Sequence, residues 1–397
     1  MRIVIVAIQV LCCYTAVALA DCECGYTIAS PSSGNNDTNT AHGGDDVLLF
    51  TDVLETDFTR LVADDGDTAW DATDWAPQAF NLTAQRARGE YGEMFDVANV
   101  ECHGDGGAAG SHGQQSHPDD QEGGADGGDD AGGLGLVVKS QVVDGMVPVA
   151  ELDTHRLDIF WGTFRASMKM AKVSGTCAAF FWYFNDTQEI DMEFLTKDFN
   201  ASNNSYPVNL VLQSREAALA GYDASTTGNF VKAYLPFDPT EDFHEYRIDY
   251  LPGRVFFYAE GVKLAEMDGP AVPSSPGHLI LQHWSNGNKY WSGGPPAEDA
   301  ALMVRYVKAY FNSSMTQSQQ DWEARCRDLT APNAVCEIPE LTPTNGSAAG
   351  WFFTDHGNVT DNHTTSEESE GARSDGAWPS ISVLALCLLM GGWAVAL

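Results

Sequence analysis

Cys177-Ala178-Ala179-Phe180-Phe181-Trp182-Tyr183-Phe184 is an apolar, aromatic run that leads through Asn185-Asp186-Thr187-Gln188 into Glu189-Ile190-Asp191-Met192-Glu193-Phe194-Leu195. Successive side chains of a strand point to opposite faces. Glu189, Asp191 and Glu193 therefore share one face, while Ile190, Met192 and Phe194 point into a core. Three acids in a row repel each other, which costs stability unless something uses them. A solvated edge strand tolerates such a row, but the flanking apolar runs argue for a central strand.

Working outward, the chain from Leu136 to Asn312 reads as strand-like runs separated by turn residues. They are Arg156–Lys172, Cys177–Phe184, Glu189–Leu195, Val208–Gln213, Glu245–Tyr250, Arg254–Glu260, His278–His283 and Met303–Phe311. Pro252-Gly253 and Glu260-Gly261 supply hairpin turns. No stretch keeps a 3.6-residue apolar period over helical length, so the expected fold is an all-β sandwich. Beyond Asn312, Trp322–Leu329 is expected to be helical. Between the mixed segment from Asp46 to Val100 and this region lies a Gly/Asp/His-rich tract, 103–135, whose composition cannot bury apolar surface. It reads as a disordered surface insertion, with His103, His112 and His117 as solvated loop residues rather than metal ligands.

Cleavage of a glycosidic bond uses two carboxyl groups flanking the bond, about 5–5.5 Å apart in retaining enzymes. Four residues of ideal strand span about 13 Å. Glu189 and Glu193 side chains leaning together on a concave sheet close that gap, with Asp191 between them to keep their protonation states apart.

The same stretch resembles the active-site strand of glycoside hydrolase family 16, the group of lichenases, laminarinases and xyloglucan endotransglycosylases. Gly175-Thr176-Cys177-Ala178-Ala179-Phe180-Phe181 resembles the strand running into that motif. Phe237-Asp238-Pro239-Thr240 with Asp242-Phe243-His244-Glu245-Tyr246 is similar to the family's run before the next hairpin. His283-Trp284-Ser285-Asn286-Gly287 and Trp291-Ser292-Gly293-Gly294-Pro295-Pro296 resemble the fungal wall-enzyme branch. The resemblance covers residues 45–312 outside the Gly/Asp-rich tract. It implies a concanavalin-A-like jelly-roll β-sandwich and retention of anomeric configuration. It also implies Glu189 as nucleophile, Asp191 as its helper and Glu193 as general acid/base. Gln188 stands where many relatives carry an acid, and the compact Glu-x-Asp-x-Glu spacing differs from the longer laminarinase form.

Sugar binding uses flat apolar faces and a few fixed polar groups. Trp182, Trp284, Tyr290 and Trp291 are candidate platforms, with a packed core role equally open for Trp182. Asn286 and Gln213 are candidates for bonding hydroxyls, against a turn or structural role. His283 is expected to pack or orient a neighbour, since the carboxyl pair needs no third base. This chemistry calls for no metal or cofactor.

With 21 Lys+Arg against 56 Asp+Glu and a formal net charge of −35, the 397-residue chain is a poor partner for nucleic acid. Its 44% hydrophobic and 11% aromatic content excludes a wholly disordered acidic chain. Arg2, the apolar run Ile3–Val10 and Ala18-Leu19-Ala20 read as a cleaved export signal, 1–20. The apolar end Ile381–Leu397 has no basic flank, and Ser374-Asp375-Gly376 fits attachment of a glycosylphosphatidylinositol (GPI) lipid, with 376–397 removed; a plain membrane anchor is the alternative.

Losing Cys12, Cys13 and Cys387 with these signals leaves Cys22, Cys24, Cys102, Cys177, Cys326 and Cys336, read as disulfides, with Cys326–Cys336 the expected local pair. Asn36, Asn81, Asn185, Asn200, Asn203, Asn312, Asn345, Asn358 and Asn362 begin glycosylation sequons, consistent with an extracellular, surface-anchored protein. The expected organisation is a Cys-bearing lead-in 21–45, a catalytic sandwich 46–312 and a glycosylated stalk 313–375. The reading is a monomeric, wall-located β-glucan hydrolase. A transglycosylase joining glucan or chitin chains, and a non-catalytic lectin on the same fold, remain as alternatives.

Overall fold

The computed structural model describes residues 21–29, 47–61, 70, 73–103, 132–341, 348–357 and 359. The expected export signal, the lipid-attachment signal, His112, His117 and the sequons at Asn36, Asn345, Asn358 and Asn362 lie outside them.

Among the described residues the chain forms two large sheets and a small one. The nine-stranded sheet runs β14 (Phe230–Tyr234), β13 (Pro207–Ser214), β12 (Gln188–Leu195), β11 (Cys177–Asn185), β18 (His278–Trp284), β9 (Met146–Thr154), β6 (Gly92–Phe95) and β5 (Phe80–Leu82), with β4 (Trp75–Pro77) also on β9. The eight-stranded sheet runs β17 (Val262–Asp268), β16 (Arg254–Ala259), β15 (His244–Leu251), β10 (Ile159–Lys169), β19 (Ala300–Ser313), β8 (Gly133–Val138) and β7 (Val100–His103), with β3 (Asp52–Asp57) also on β19. Every strand expected from the sequence is present. Leu251 pairs with Arg254 and Ala259 with Val262, so both hairpin turns stand where they were expected.

Period-two alternation builds the core. Ile190, Met192 and Phe194 of β12 pack with Phe180 and Trp182 of β11 against Phe164, Tyr246, Ile248 and Phe257 from the opposite sheet. The described part is a β-sandwich, as the strand pattern predicts. The tract read as 103–135 is narrower at both ends: His103 closes β7, Gly133 opens β8, and the two pair directly. Its interior, 104–131, lies outside the described residues.

A third layer was not expected. β1 (Gly25–Ala29) lies between β2 (Val47–Phe50) and β20 (Val335–Glu337), and pairs with β20 in parallel. Tyr26, Ile28, Phe50, Ile338 and Phe353 pack there on Val53, Leu251, Phe256, Tyr258 and Tyr310, the outward side of the eight-stranded sheet. The helix foreseen at Trp322–Leu329 begins earlier, as α3 (Thr316–Arg325), and hydrogen-bonds back to the lead-in, with Trp322 Nε1 donating to the Cys24 carbonyl at 3.0 Å.

The cysteine expectation is corrected by this layer: the disulfides are Cys22–Cys336 and Cys24–Cys326, not Cys326–Cys336. Parallel pairing lays Cys336 beside Tyr26, and α3 carries Cys326 to Cys24. Cys102 and Cys177 remain free thiols. The start of the expected stalk is likewise part of the folded body. Lys308 donates to the carbonyls of Ala348, Ala349 and Trp351 at 3.1, 2.9 and 2.7 Å, holding that segment against β19.

Candidate active site

β12 is a central strand, hydrogen-bonded to β11 on one side and β13 on the other. Its register fixes the neighbours of each acid. Glu189 lies between Tyr183 and Gln213, Asp191 between Phe181 and Val211, and Glu193 between Ala179 and Asn209. Asp191 is 4% exposed, while Glu189 and Glu193 are half-buried on the floor of the face.

Burial dominates the electrostatics. It raises Asp191 well above the carboxylate range, and the charges of Glu189 and Glu193 add to it. Burial therefore favours the protonated form of Asp191, which shares a hydrogen bond with Glu189. Glu189 is pushed up to about 7 by burial, a rise opposed by that hydrogen bond and reinforced by Glu193. Glu193 is raised by burial against two donors: Trp291 Nε1 at 3.0 Å and the Cys177 thiol at 3.5 Å, both on Oε1. With both donors on one oxygen, Oε2 is left for a reacting group. The two glutamates thus sit in different surroundings on one face, Glu189 bonded to Asp191 and Glu193 to Trp291 and Cys177, and burial favours the protonated form of both.

The loop after β18 carries Trp291 to Glu193. Ser285, Asn286 and Ser292 anchor it, and Gly294 packs so closely on Gly175 and Ser285 that a Cβ there would collide with both. Trp291 also stands 6.2 Å, centroid to centroid, from Phe230 of β14. Trp284 lies on the acid face, in register with Cys177, and is half-buried against Phe95, Val147 and Val149. Gln213 opposes Glu189, and its Oε1 is buried without a hydrogen-bond partner.

Three expected sugar contacts lie elsewhere. Trp182 is 0% exposed in the core, its Nε1 donating to the Ile159 carbonyl at 3.0 Å, because it shares the parity of Ile190 rather than that of Glu189. Asn286 is buried and fully engaged, donating to the Ala87 carbonyl at 2.6 Å and to Glu93 at 3.0 Å while its Oδ1 accepts from Asn288 and Ser292. It is a clamp between loops. Tyr290 projects into solvent, 79% exposed. His283 is buried on the core side, its Nδ1 2.8 Å from the Leu136 carbonyl oxygen, and burial lowers it to about 4.

The face also holds acids that sequence reasoning missed. Glu151 and Asp153 of β9 sit in register with Gln282 and Ile280, and Gln282 donates to Glu151. Glu93 of β6 is 6% exposed. Burial pushes Glu151 up to about 7 and Glu93 up to about 8. On β13, Asn209 opposes Glu193 with a buried, unpartnered Oδ1. Val149, Glu151 and Asp153 alternate with Ala150 and Leu152, so the same period-two reading would have found β9 had Pro148 not interrupted it.

Residues 148–307 match the family model described as "Glycosyl hydrolases family 16". A beta-glucanase of Paenibacillus polymyxa is 32% identical over 139 residues, which is 34% of this chain and 52% of that protein. A probable xyloglucan endotransglucosylase/hydrolase protein 27 of Arabidopsis thaliana is 29% identical over 213 residues, 48% of this chain and 58% of that protein. This chain spans about half the length of the curated relatives it matches. A crystal structure of a prokaryotic beta-1,3-1,4-glucanase (lichenase) from a mouse hindgut metagenome superposes with a TM-score of 0.44 at 18% identity, covering 65% of this chain and 99% of that one. The segment 148–307, which contains the acid strand, is what this chain shares with glycosyl hydrolase family 16.

Proposed function

We propose that the chain cleaves a β-glucan with β-1,3 or β-1,3-1,4 linkages and retains configuration through a glycosyl-enzyme on Glu189. The observation that carries this reading is the triple of carboxyls on the acid face of a central strand, with Asp191 bonded to Glu189 and two donors fixing Glu193. In the first half-reaction Glu189 attacks the anomeric carbon while Glu193 gives its proton to the leaving oxygen. In the second, Glu193 takes a proton from the acceptor, which then displaces Glu189. Water as acceptor gives hydrolysis. A sugar hydroxyl gives transglycosylation, a reading favoured by the similarity to the Arabidopsis endotransglucosylase/hydrolase, which extends over 213 residues. Trp284, Trp291 and Gln213 line the sugar path, with Asn209 and Glu151 as further polar contacts.

We place the enzyme outside the cell as a monomer on a GPI lipid. The two disulfides suit an oxidising compartment. Sequon residues Asn81, Asn200 and Asn203 are exposed, whereas Asn312 donates its Nδ2 to the Leu49 carbonyl and is a poor acceptor for a glycan.

Mass spectrometry of products from β-1,3-glucan, mixed-linked β-glucan and chitin oligomers tests the reading. Shortened β-glucan products with retained configuration are expected, and chains longer than the donor mark transglycosylation. Binding without any product from any of these substrates overturns the enzyme and leaves a lectin.

A further inference from the structure

Two loops from opposite flanks of the nine-stranded sheet meet above its acid face. The first joins β5 to β6 through α1 (Ala84–Ala87) and carries Arg88. The second joins β13 to β14 through α2 (Arg215–Leu219) and carries Tyr222. Four strands, β12, β11, β18 and β9, lie between β13 and β6, yet the Arg88 guanidinium stands over the Tyr222 ring at 4.3 Å from its centroid. The contact stands within electrostatic reach of the acid face, where the Arg88 charge favours the ionised forms of Glu93 of β6 and of Glu189 and Glu193 of β12.

Each arm is held from below. On the first, the Asn286 amide donates to the Ala87 carbonyl, Asn288 Nδ2 donates to the Arg88 carbonyl at 3.2 Å, and Tyr91 N–H donates to the Asn286 carbonyl at 2.9 Å. Gly89 packs where a Cβ would collide with Asn286, so the arm rests directly on the loop that carries Trp291. On the second, the Tyr222 hydroxyl donates to Asp186 at 3.2 Å, and Asp186 also accepts from Tyr183, the neighbour of Glu189, at 2.7 Å. Arg88 and Tyr222 both adopt positive φ, 56° and 66°, which non-glycine residues keep only where their surroundings hold them.

We propose that Arg88 and Tyr222 form a clasp across the cleft, one that must part before an internal stretch of polysaccharide can lie on the acids. The clasp rests on the glucanase reading for its substrate, though not for its existence. Short oligosaccharides enter beneath it by their ends. A long chain seats only when the cation–π contact breaks, so the clasp sets the preference for chain length.

The test uses the full chain with Arg88→Ala, Tyr222→Ala and the double variant, assayed on mixed-linked β-glucan polymer and on its tetrasaccharide. Each single variant raises the ratio of kcat/KM on polymer to kcat/KM on tetrasaccharide about two- to fivefold, the span a surface cation–π contact supplies. The double variant raises it no further, because either substitution alone removes the one contact. Tyr222→Phe keeps the ring and keeps the wild-type ratio. An unchanged ratio in both single variants, or an equal loss on both substrates, overturns the clasp. Hydrogen exchange without ligand reads the same contact independently: Arg88→Ala speeds exchange in residues 218–226 across the cleft, and unchanged exchange there overturns the proposal. If the wild type turns over no β-glucan the glucanase reading falls, while the exchange experiment still decides the clasp.

Discussion

The two large sheets each carry a face with charged residues out of water, and they treat them in opposite ways. Behind the eight-stranded sheet, charges are paired. Arg247 bonds Asp249 at 2.7 Å and Glu340 at 2.6 Å, Arg165 bonds Glu340 at 3.0 Å, and Lys308 is wrapped by three carbonyls. These pairs tie the third layer to the sheet, and opposite charge compensates for lost hydration. On the acid face of the nine-stranded sheet, Glu93, Glu151, Asp153, Glu189, Asp191 and Glu193 are all raised from the ordinary carboxylate value, with burial the largest cause in each. Buried charge that holds layers together comes with a counter-ion or, at Lys308, with a set of carbonyls. Buried acids left to push one another's protons on are kept for chemistry.

The largest effect that tests this contrast is catalytic. Glu193→Gln should cost about 10²–10⁴-fold in kcat, and Glu189→Gln at least as much, while Asp191→Asn costs less. Thermal unfolding of all three should stay close to the wild-type temperature, because each amide keeps the shape of a buried carboxyl whose charged form burial already disfavours. Near-wild-type turnover in both Glu variants would sink the assignment.

Arg247→Met should do the reverse. Breaking a buried pair leaves Asp249 uncompensated, at a cost of about 3–5 kcal/mol in urea unfolding, while kcat per folded molecule stays unchanged. A stability loss under 1 kcal/mol would remove the distinction between the faces.

The smallest effect is in pH. Glu151 and Glu189 near 7 and Glu93 near 8 bind protons in the folded chain that the unfolded chain has already lost. Their contribution is present below the ordinary carboxylate pKa and lost as pH rises through these values. His278 and His283, lowered to about 4 by burial, act in the opposite direction, but only below about 6.5. Scanning calorimetry should therefore find Tm falling by about 3–5 °C between pH 6.5 and 8.5. A flat or rising Tm there means the acids are not held protonated.

The acid strand was legible because alternation is local. Glu189, Asp191 and Glu193 declare a shared face within five residues of sequence, and Ile190, Met192 and Phe194 declare the core behind it. What the sequence hides is register between distant segments. Trp182 turns inward because it pairs with Ile190, a fact that no spacing within β11 reveals. Asn286 looks like a sugar ligand until Glu93 and Ala87, nearly 200 residues earlier, arrive beside it. The cysteine partners likewise depend on a parallel pairing of β1 with β20, while short separation along the chain favoured Cys326 with Cys336.

That pairing also orders events during synthesis. The disulfides bridge 314 and 302 residues, so Cys22 and Cys24 leave the ribosome long before Cys336 and Cys326 exist. Until then Tyr26, Ile28 and the outward side of β16 have no cover, and two early thiols are open to wrong partners, Cys102 and Cys177 among them. The earliest-made strand must wait for almost the last described one. A chain built this way leaves apolar surface uncovered until its late strands are made, the interval in which aggregation and wrong disulfides compete with folding.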